Sequence, residues 1–527
     1  MNFHTLVRTL SVALSLALPA LASANTLRAT QVLVVYDSRI ADSVAVAEYY
    51  AGSARVPGGA GGEPGVHQGL SVFDIASTGL PSSAVNGTLF YDAFVDEIRD
   101  PIRAHLEANG MVTRIRSLVL CKGLPHRIDD AGDPGVGDRP SDFFDRWSAR
   151  SAVSASVDSE LTLLWQDLDT SIISGSVTVE NGYIRNPFWR RDRPINTYTN
   201  KNARVPKAWR SLGLGQITRT FDDDPVTSLT PGDILLVCRL DGNSVADVRA
   251  MIGRAQGLVY DTDSVGFILD ESGSNGIADL ENNSELDNVM ARFSPEDDYE
   301  TARDLLLADG RFEPSRVFYN ALSGESQFQV GPNIDFQGQG LLVTDPVILL
   351  THYGRNHAGR PSVNIDRYEE SFVLAPGAVF STMESYNGRA FNGLGTLFSQ
   401  GQVADFIGAG GTFGIGMVWE PFANTVPDSA QLVRTWFLNG FTWAEAAYMS
   451  LNTLSWQCVV IGDPLARPVR TSDDVNSDGR LDIEDLYAFE QNPADLNRDG
   501  VADDADRQLL IRAIRVPIQE TFDAGRR

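Results

Sequence analysis

Cysteine and basic residues are scarce in this chain of 527 residues, and each shortage excludes a class of protein. The three cysteines, Cys121, Cys238 and Cys458, lie inside or beside apolar runs without C-x-x-C spacing, which argues against a zinc site and allows at most one disulfide. We interpret them as small buried hydrophobic residues. Lysine and arginine number 43 against 69 Asp and Glu, a net charge of -26. This charge argues against a nucleic-acid binder or a partner of anionic lipid, because both need a basic face, and it favours cation binding.

Long apolar runs are also missing, except at the N-terminus. Residues 1–24 contain a short N-terminal region with Arg8, an apolar run at 10–21 and the small residues Ala22-Ser23-Ala24 at the end. This pattern is typical of a secretory signal peptide cleaved before Asn25. The run is shorter than the roughly 20 residues that a bilayer span requires. We therefore predict a secreted protein, extracellular or at the cell surface, with no transmembrane span after cleavage.

Short apolar strands alternate with amphipathic helices through most of the chain. The apolar run at 31–36 ends in a polar turn and is followed by helical spacing at 43–50, an opening typical of a parallel sheet. Further strands are predicted at 115–121, 234–238, 265–269, 317–320, 347–350, 378–380 and 455–461, and further helices at 90–109, 245–255, 299–307, 402–407 and 436–451. We therefore predict an α/β fold over residues 25–470, a mostly parallel sheet with helices on both faces.

The periodic pattern weakens between about 129 and 222 into glycine, proline, serine and aspartate. Long loops inside compact domains are usually functional or disordered, so we interpret this region as an insertion or lid over the sheet. Its aromatic and basic run at 186–193 contains Arg190 and Arg191. These arginines either hold an anionic substrate group or pair with the abundant carboxylates.

Two copies of a twelve-residue acidic loop, at 474–485 and 495–506, lie near the end of the chain. Calcium takes about six to eight oxygen ligands, and positions 1, 3, 5, 7, 9 and 12 of an EF-hand loop supply them, position 7 through its backbone carbonyl. Gly479 and Gly500 allow the sharp turn at position 6. The predicted ligands of two calcium ions are Asp474, Asn476, Asp478, Arg480, Asp482 and Asp485 in the first loop and Asp495, Asn497, Asp499, Val501, Asp503 and Asp506 in the second.

An apolar helix is predicted after each loop, so residues 471–516 form a small all-α EF-hand pair, followed by a tail at 517–527. Residues 474–515 resemble a dockerin, the paired calcium-loop module that docks onto cohesins in cellulosome-type systems. Aspartate stands at position 12, as dockerins have it. The resemblance implies a cohesin-like or cell-surface protein as partner. Positions 10 and 11, which usually contribute to partner recognition in dockerins, are Ile483-Glu484 and Asp504-Ala505 here, unlike the Ser/Thr pairs of the best-known type.

Polar loops follow two apolar strands between 345 and 388, and an open α/β sheet places its ligand site beyond such strand ends. The first loop begins at Thr351-His352, and the second contains Met383-Glu384-Ser385. A histidine base and a hydroxyl nucleophile on neighbouring strand ends form the arrangement that nucleophilic catalysis requires. We therefore predict His352, Ser385 and Glu384 as catalytic residues.

Five segments carry a family resemblance, namely Leu349-Leu-Thr-His352-Tyr-Gly354, Pro376-Gly-Ala-Val-Phe380, Ala409-Gly-Gly-Thr-Phe-Gly414, Glu445-Ala446 and Gly462-Asp-Pro464. Residues 32–468 resemble an uncharacterised family of secreted bacterial proteins found in species that carry exosortase. The later half is similar in layout to gingipain-type and caspase-type cysteine peptidases. In those peptidases the first loop carries the catalytic histidine, matched here by His352, and the second carries the nucleophilic cysteine. The second loop of this chain has no cysteine, and Cys458 belongs to a different predicted strand.

Two of the three functions that stay open use this site. The first is a caspase-like core without the peptidase nucleophile, with a binding or processing role at the cell surface. The second is a hydrolase in which Ser385 is the nucleophile. Its base would be His352 or His357, and its orienting carboxylate Glu384 or Glu420.

The third function is a carbohydrate-active enzyme tethered by the dockerin-like tail. Asp270 and Glu271 are candidate acid and base, although adjacent residues on one strand face opposite sides. No dinucleotide cofactor is expected, because the glycine cluster at 408–416 lacks the G-x-G-x-x-G spacing.

Overall fold

The computed structural model describes fourteen stretches of the chain: residues 26–59, 62–76, 87–129, 155–166, 184–200, 229–270, 299–320, 329–333, 340–352, 368–391, 400–419, 421, 425–498 and 500–515. The predicted signal peptide and the tail at 517–527 lie outside these residues, as does most of the predicted insertion.

A ten-stranded sheet forms the centre of the protein. Its strands, numbered along the chain, are β1 Val32–Tyr36, β2 Ser71–Asp74, β3 Ser117–Cys121, β4 Leu236–Leu240, β5 Gly266–Asp270, β6 Val317–Asn320, β7 Val347–His352, β8 Leu374–Thr382, β9 Phe413–Met417 and β10 Cys458–Ile461. Their order across the sheet is β6-β5-β7-β8-β9-β10-β4-β3-β1-β2. Shorter strands pair outside this sheet: Thr88–Phe90 with Arg127–Asp129, Ile184–Arg185 with Thr453–Leu454, Val259–Tyr260 with Val469–Arg470, and Gln329–Val330 with Leu341–Leu342.

The sheet consists of two halves with the same strand order. The first half contains β1, β2, β3, β4 and β10, and the second half contains β5, β6, β7, β8 and β9. If the strands of each half are numbered 1 to 5 along the chain, their order across the sheet is 2-1-3-4-5 in both halves. All neighbours within a half are parallel. The fifth strands, β9 and β10, join the halves and pair antiparallel. The carboxyl ends of the strands therefore lie at opposite edges of the sheet in the two halves.

Helices connect most of the strands. They are α1 Ala41–Ala51, α2 Tyr91–Phe94, α3 Asp100–Ala108, α4 Val157–Leu161, α5 Val245–Arg254, α6 Tyr299–Ala308, α7 Val403–Gly408, α8 Ser429–Leu432, α9 Trp443–Ser450, α10 Ile483–Gln491 and α11 Asp504–Arg515. A π-helical turn, Val95–Arg99, joins α2 to α3, and another, Val433–Leu438, extends α8. Short 3-10 helices include Glu369–Ser371, just before β8.

Both faces of the first half of the sheet are covered. Leu33 and Val35 of β1 pack in one buried cluster with Ile102 of α3, while Val34 and the other alternate residues pack with Met251 of α5. Buried parallel strands need apolar cover on both faces, which explains why β1 is apolar at every position. The predicted α/β class and mostly parallel sheet are confirmed.

One predicted helix and one predicted strand are interrupted at a residue with positive φ. Residues 436–451 form no single helix, because Gly440 takes a positive φ of 63° between the π-helical turn after α8 and the start of α9. The predicted strand at 455–461 is also broken. Ser455 has a φ of 53°, and only Cys458–Ile461 joins the large sheet.

One described part of the predicted insertion belongs to the core. Residues 155–166, which include α4, are buried throughout, and the Ser156 hydroxyl donates to the carbonyl of Cys458. Arg190 pairs with Asp428, at 2.7 Å between Nε and Oδ2. All three cysteines are buried and free, as the interpretation as small hydrophobic residues expects.

Candidate functional site

The carboxyl ends of β5, β7 and β8 lie side by side in the second half of the sheet. His352 ends β7 and stands in register with Asp270 of β5 on one side and Thr382 of β8 on the other. In a sheet of order 2-1-3-4-5, ligands bind beyond the carboxyl ends where the strand order reverses, between the first and third strands. In this half those strands are β5 and β7, so Asp270 and His352 mark that point.

A fully buried cluster of one histidine and two glutamates lies here. Ligand atoms of His352, Glu369 and Glu384 are within 4.8 Å of one another, and all three residues have an exposed fraction of 0%. His352 comes from β7, Glu369 from the 3-10 helix before β8, and Glu384 from the turn after β8. Two of the three predicted catalytic residues, His352 and Glu384, therefore lie together in this cluster. The third member, Glu369, was not predicted from the sequence.

Aromatic rings enclose the histidine of this cluster. The His352 ring meets the rings of Tyr368 and Phe380 edge to face, with centroids 5.1 Å and 6.2 Å apart. The Tyr368 hydroxyl donates to the carbonyl of Gln329 at 3.0 Å, which fixes the ring next to the histidine. The cluster is fully buried, with two aromatic rings against its histidine, so its electrostatic interactions are strong.

Gly401 fits between the two glutamates. Its N–H donates to Oε2 of Glu384 at 3.2 Å. A Cβ atom at this position would lie 1.3 Å from Oε1 of Glu369, so a larger residue would displace that carboxylate. The glycine therefore lets the backbone approach both acids, a requirement that only the folded chain reveals.

Ser385 lies at the margin of the cluster, with an exposed fraction of 9%. Its hydroxyl accepts a hydrogen bond from Nε2 of Gln400 at 3.2 Å. The next residue, Tyr386, has a positive φ of 58°, a costly conformation for a residue with a side chain. Asn387 anchors the turn by donating to the Thr382 hydroxyl at 2.8 Å. The pairing of Ser385 with a histidine stays a prediction, and two of its predicted partners, His357 and Glu420, lie outside the described residues.

Asp270 is a second buried acid at this edge. Its carboxyl accepts hydrogen bonds from the Asn320 amide and from the N–H of Gln329, both at 2.7 Å. Burial raises the pKa of Asp270 to about 7, although both donors oppose the shift. Its suggested partner in glycoside chemistry, Glu271, lies outside the described residues.

The two predicted calcium loops share several backbone features at their described positions. At position 1, Asp474 and Asp495 each accept a hydrogen bond from the position-6 glycine, at 2.8 Å in both loops. Position 4, occupied by Ser477 or Arg498, has a φ of 60° in both. Position 6 also has a positive φ, 80° at Gly479 and 92° at Gly500.

The aspartates at position 12 close both loops in the same way. Asp485 accepts hydrogen bonds from the N–H groups of Asn476 and Asp482, at 3.3 Å and 2.8 Å. Asp506 accepts from the equivalent N–H groups in the second loop, those of Asn497 and Asp503, both at 2.9 Å. Position 5 of the second loop, Asp499, lies outside the described residues. In both loops, backbone N–H groups thus hold the aspartates at positions 1 and 12, and calcium binding itself stays a prediction.

The C-terminal module packs against the core. Phe489, Leu496 and Leu510 form its own small apolar cluster. Arg498 forms an ion pair with Asp263 of the core. A cleft of about 510 Å³ remains between the module and the core, lined by residues of both, including Asp309, Arg311, Asn497 and Leu509.

Comparison of the chain with protein-family models, with characterised proteins and with solved structures found no significant match. Within the described stretches, no helix has the length and apolar character needed to cross a membrane.

Proposed function

We propose that this chain is a secreted, calcium-binding protein whose core is a gingipain- and caspase-like scaffold without the cysteine nucleophile, with a binding or processing role at the cell surface. One observation carries the proposal for the core. His352 and Glu384 leave the carboxyl ends of adjacent parallel strands, β7 and β8, and meet in a buried cluster. This is the edge at which the resembled peptidases place their histidine and nucleophile loops.

The chemistry of the cysteines supports a core without a cysteine nucleophile. The loop after β8 carries Met383-Glu384-Ser385 where those peptidases have cysteine. Burial raises the pKa of the Cys458 thiol to about 12, and it also raises the pKa of Cys121 and Cys238. A thiol attacks as its thiolate, so none of the three is a ready nucleophile at neutral pH.

The repeated loop geometry supports the calcium-binding part of the proposal. Two loops, 474–485 and 495–506, place carboxylates at the same positions and hold them with the same backbone N–H groups. Seven of the predicted ligands are aspartates with described positions, a charge that two calcium ions would offset in part. The dockerin-like spacing further suggests a cohesin-like or cell-surface protein as partner of this module.

A serine hydrolase is the second candidate, favoured by the turn after β8. This turn holds the Ser385 hydroxyl by a hydrogen bond from Gln400 and places it next to Glu384 and the strained Tyr386. A hydroxyl nucleophile still needs a base within about 3.2 Å, or one reached as the ligand binds.

Activity-based labelling of the intact secreted protein separates these candidates. Serine-directed and cysteine-directed covalent probes are applied to wild type and to the variants Ser385→Ala and His352→Ala. The proposed function predicts no labelling by either class. Labelling by the serine probe that is lost in both variants would replace the proposal with the serine hydrolase, and labelling by the cysteine probe would overturn it outright.

Calcium binding needs its own measurement. Native mass spectrometry of the full chain should show two calcium ions in wild type and one in Asp474→Asn or Asp495→Asn, because each variant weakens one loop. An unchanged count in both variants would refute the assignment of these loops.

A further inference from the structure

Three metal-ligating side chains lie together in the core, away from the calcium loops. We propose that His352, Glu369 and Glu384 bind one divalent transition-metal ion of the class of Zn²⁺ or Mn²⁺. The ligand atoms are within 4.8 Å of one another, and the three side chains come from three separate segments around the ends of β7 and β8. The two predicted calcium ions lie elsewhere, in the C-terminal loops.

The donor atoms select the class of metal. The cluster offers one imidazole nitrogen and two carboxylate oxygens, a mixed set that suits zinc, manganese and iron(II). Calcium prefers six to eight oxygens and does not favour imidazole. The cluster contains no thiolate, so it does not suit the soft ions that cysteine selects. Three protein ligands also leave a coordination position for water or a substrate, as in catalytic zinc sites.

The charge of the cluster matches a divalent ion. As metal ligands, two carboxylates and a neutral histidine would carry a formal charge that one divalent cation cancels. His352, Glu369 and Glu384 all have an exposed fraction of 0%, and ionised groups in such surroundings are paired or coordinate metals. The burial of the three side chains lowers the local dielectric constant, which strengthens the attraction between carboxylates and a cation.

The spacing requires only a small contraction. Ligand atoms about 2.0 to 2.2 Å from a metal lie roughly 3 to 4 Å from one another. The present separations, at most 4.8 Å, reach this range if side chains move by less than about 1 Å. Histidine and glutamate side chains make such movements by small rotations, without a change of backbone.

Gly401 orients two of the ligands from outside the coordination sphere. Its N–H holds Glu384 at 3.2 Å, and its missing Cβ makes room for Glu369. Groups that position ligands in this way typically affect metal affinity by about 10 to 100-fold. Gly401 is therefore a positioning residue for the site, and its effect is measurable separately from that of the ligands.

The metal site does not rest on the peptidase-like layout, although it uses two of the same residues. A histidine whose nitrogen is bound to a metal cannot also take a proton from a serine through that nitrogen. A filled site therefore makes His352 a ligand, and it leaves the binding role of the proposed function in place.

Metal content of the full chain tests the site directly. The protein is stripped with a chelator and dialysed against excess Ca²⁺, which occupies the C-terminal loops. It is then titrated with Zn²⁺, Mn²⁺ or Co²⁺ and analysed by elemental mass spectrometry. We expect one bound transition-metal ion per wild-type chain. Glu369→Gln and Glu384→Gln should lower the affinity by about 100-fold or more, since each loses a charged ligand, and Glu160→Gln, at a buried acid outside the cluster, should leave it unchanged.

A glycine pair adds a control for the positioning effect. Gly401→Ala should weaken metal binding by about 10 to 100-fold. Gly408→Ala is the matched control, because a Cβ at this position makes only ordinary contacts, at 3.8 Å and beyond. Equal affinities in these two variants would refute the role of Gly401.

X-ray absorption spectroscopy of the zinc-loaded wild-type protein identifies the metal ligands without any variant. It therefore tests the site even if the glutamate variants fail to fold. The proposal expects nitrogen and oxygen neighbours at about 2.0 to 2.2 Å, a histidine signature and no sulfur. No transition metal in wild type beyond the calcium loops, or a shell without histidine, would overturn the metal site. Such a result would leave the proposed function standing, since the covalent probes test that separately.

Discussion

Arg239 provides the sharpest test of what holds the first half of the sheet together. This residue of β4 has an exposed fraction of 0%, and its guanidinium donates to both oxygens of Asp158 of α4, at 2.7 Å from Nη2 to Oδ2 and 3.2 Å from Nε to Oδ1. It also donates to the carbonyls of Leu124 and Pro125, at 2.8 Å and 2.7 Å. Arg239 thus ties α4 and the turn after β3 to the middle of the sheet.

Arg239→Met keeps much of the side-chain volume and removes the charge. Breaking a buried ion pair by removing one partner costs about 3 to 5 kcal/mol, because the other charge stays buried. The two carbonyls lose their donors as well, at about 1 kcal/mol each. We therefore expect a loss of roughly 5 kcal/mol or more in the free energy of unfolding, a large part of the total for a folded domain.

Denaturant unfolding of the full chain in saturating calcium measures this loss. Arg249→Met is the matched control, because Arg249 pairs with Glu63 at 3.3 Å while both side chains are about one-third exposed, 36% and 28%. Such a pair contributes at most about 1 kcal/mol. The double variant Arg239→Met/Asp158→Asn should recover part of the loss, since it removes the stranded carboxylate. Equal losses at Arg239 and Arg249 would refute the reasoning.

Three further predictions concern pH, a buried hydroxyl and calcium. Burial raises the pKa of Glu160 from 4.5 to about 7, so its protonated form stabilises the fold at low pH and this contribution is lost as the pH rises through about 7. Glu160→Gln should therefore gain stability relative to wild type between about pH 5 and pH 8 in urea unfolding, and a parallel pH dependence would contradict this. Tyr50→Phe removes a hydroxyl that donates to buried Asp463 at 2.7 Å and should cost about 1 to 3 kcal/mol in the same assay, whereas an unchanged midpoint would show that the bond contributes nothing. Chelation of calcium should lower the free energy of unfolding by about 3 kcal/mol per site that is filled at 100 times its dissociation constant. Asp495→Asn should remove about half of this effect, and a melting temperature insensitive to chelator would count against the calcium loops.

The elements of the parallel sheet could be predicted because each strand is a short apolar run between polar turns. The predicted strand at 317–320 agrees with β6 at both ends, and the predicted helix at 245–255 differs from α5 by one residue. The break at Gly440 escaped prediction, because the apolar spacing continues across it and only the backbone shows the positive φ. Strand β2 was missed because its four residues are only partly buried and include the polar Ser71 and Asp74.

The pairing order and the full site could not be predicted, because both depend on contacts between distant segments. β10 follows β9 in the chain yet completes the first half of the sheet, beside β4. Glu369 lies in a short 3-10 helix, next to Glu370. In the sequence, two adjacent glutamates indicate a solvent-exposed turn, and only the folded chain shows that Glu369 lies next to His352. The loops after β7 and β8 could be chosen as a site, since strand ends in α/β sheets are where ligands bind.

The two halves of the sheet carry comparable pairs of groups at comparable places. In the first half, Lys122 follows the third strand and Asp241 follows the fourth, and the ammonium donates to the carboxylate at 3.2 Å. In the second half, His352 ends the third strand and Glu384 follows the fourth. Each edge thus joins a basic group to an acid.

The difference between these pairs points to different roles for the two edges. An ammonium group has only donors, so Lys122 has no lone pair to offer a metal, and it balances Asp241 together with Arg239, whose Nη1 lies 3.5 Å from Oδ2 of Asp241. Its remaining protons go to the carbonyls of Gly242 and Phe391, at 2.6 Å and 2.9 Å, which closes that edge. Histidine offers a nitrogen lone pair, and Glu369 adds a second acid to the cluster. The cluster therefore offers one nitrogen and two carboxylates as ligands, whereas Lys122 offers no ligand atom. The same topology therefore builds a closed salt bridge at one edge and, at the other, a set of donors suited to a cation.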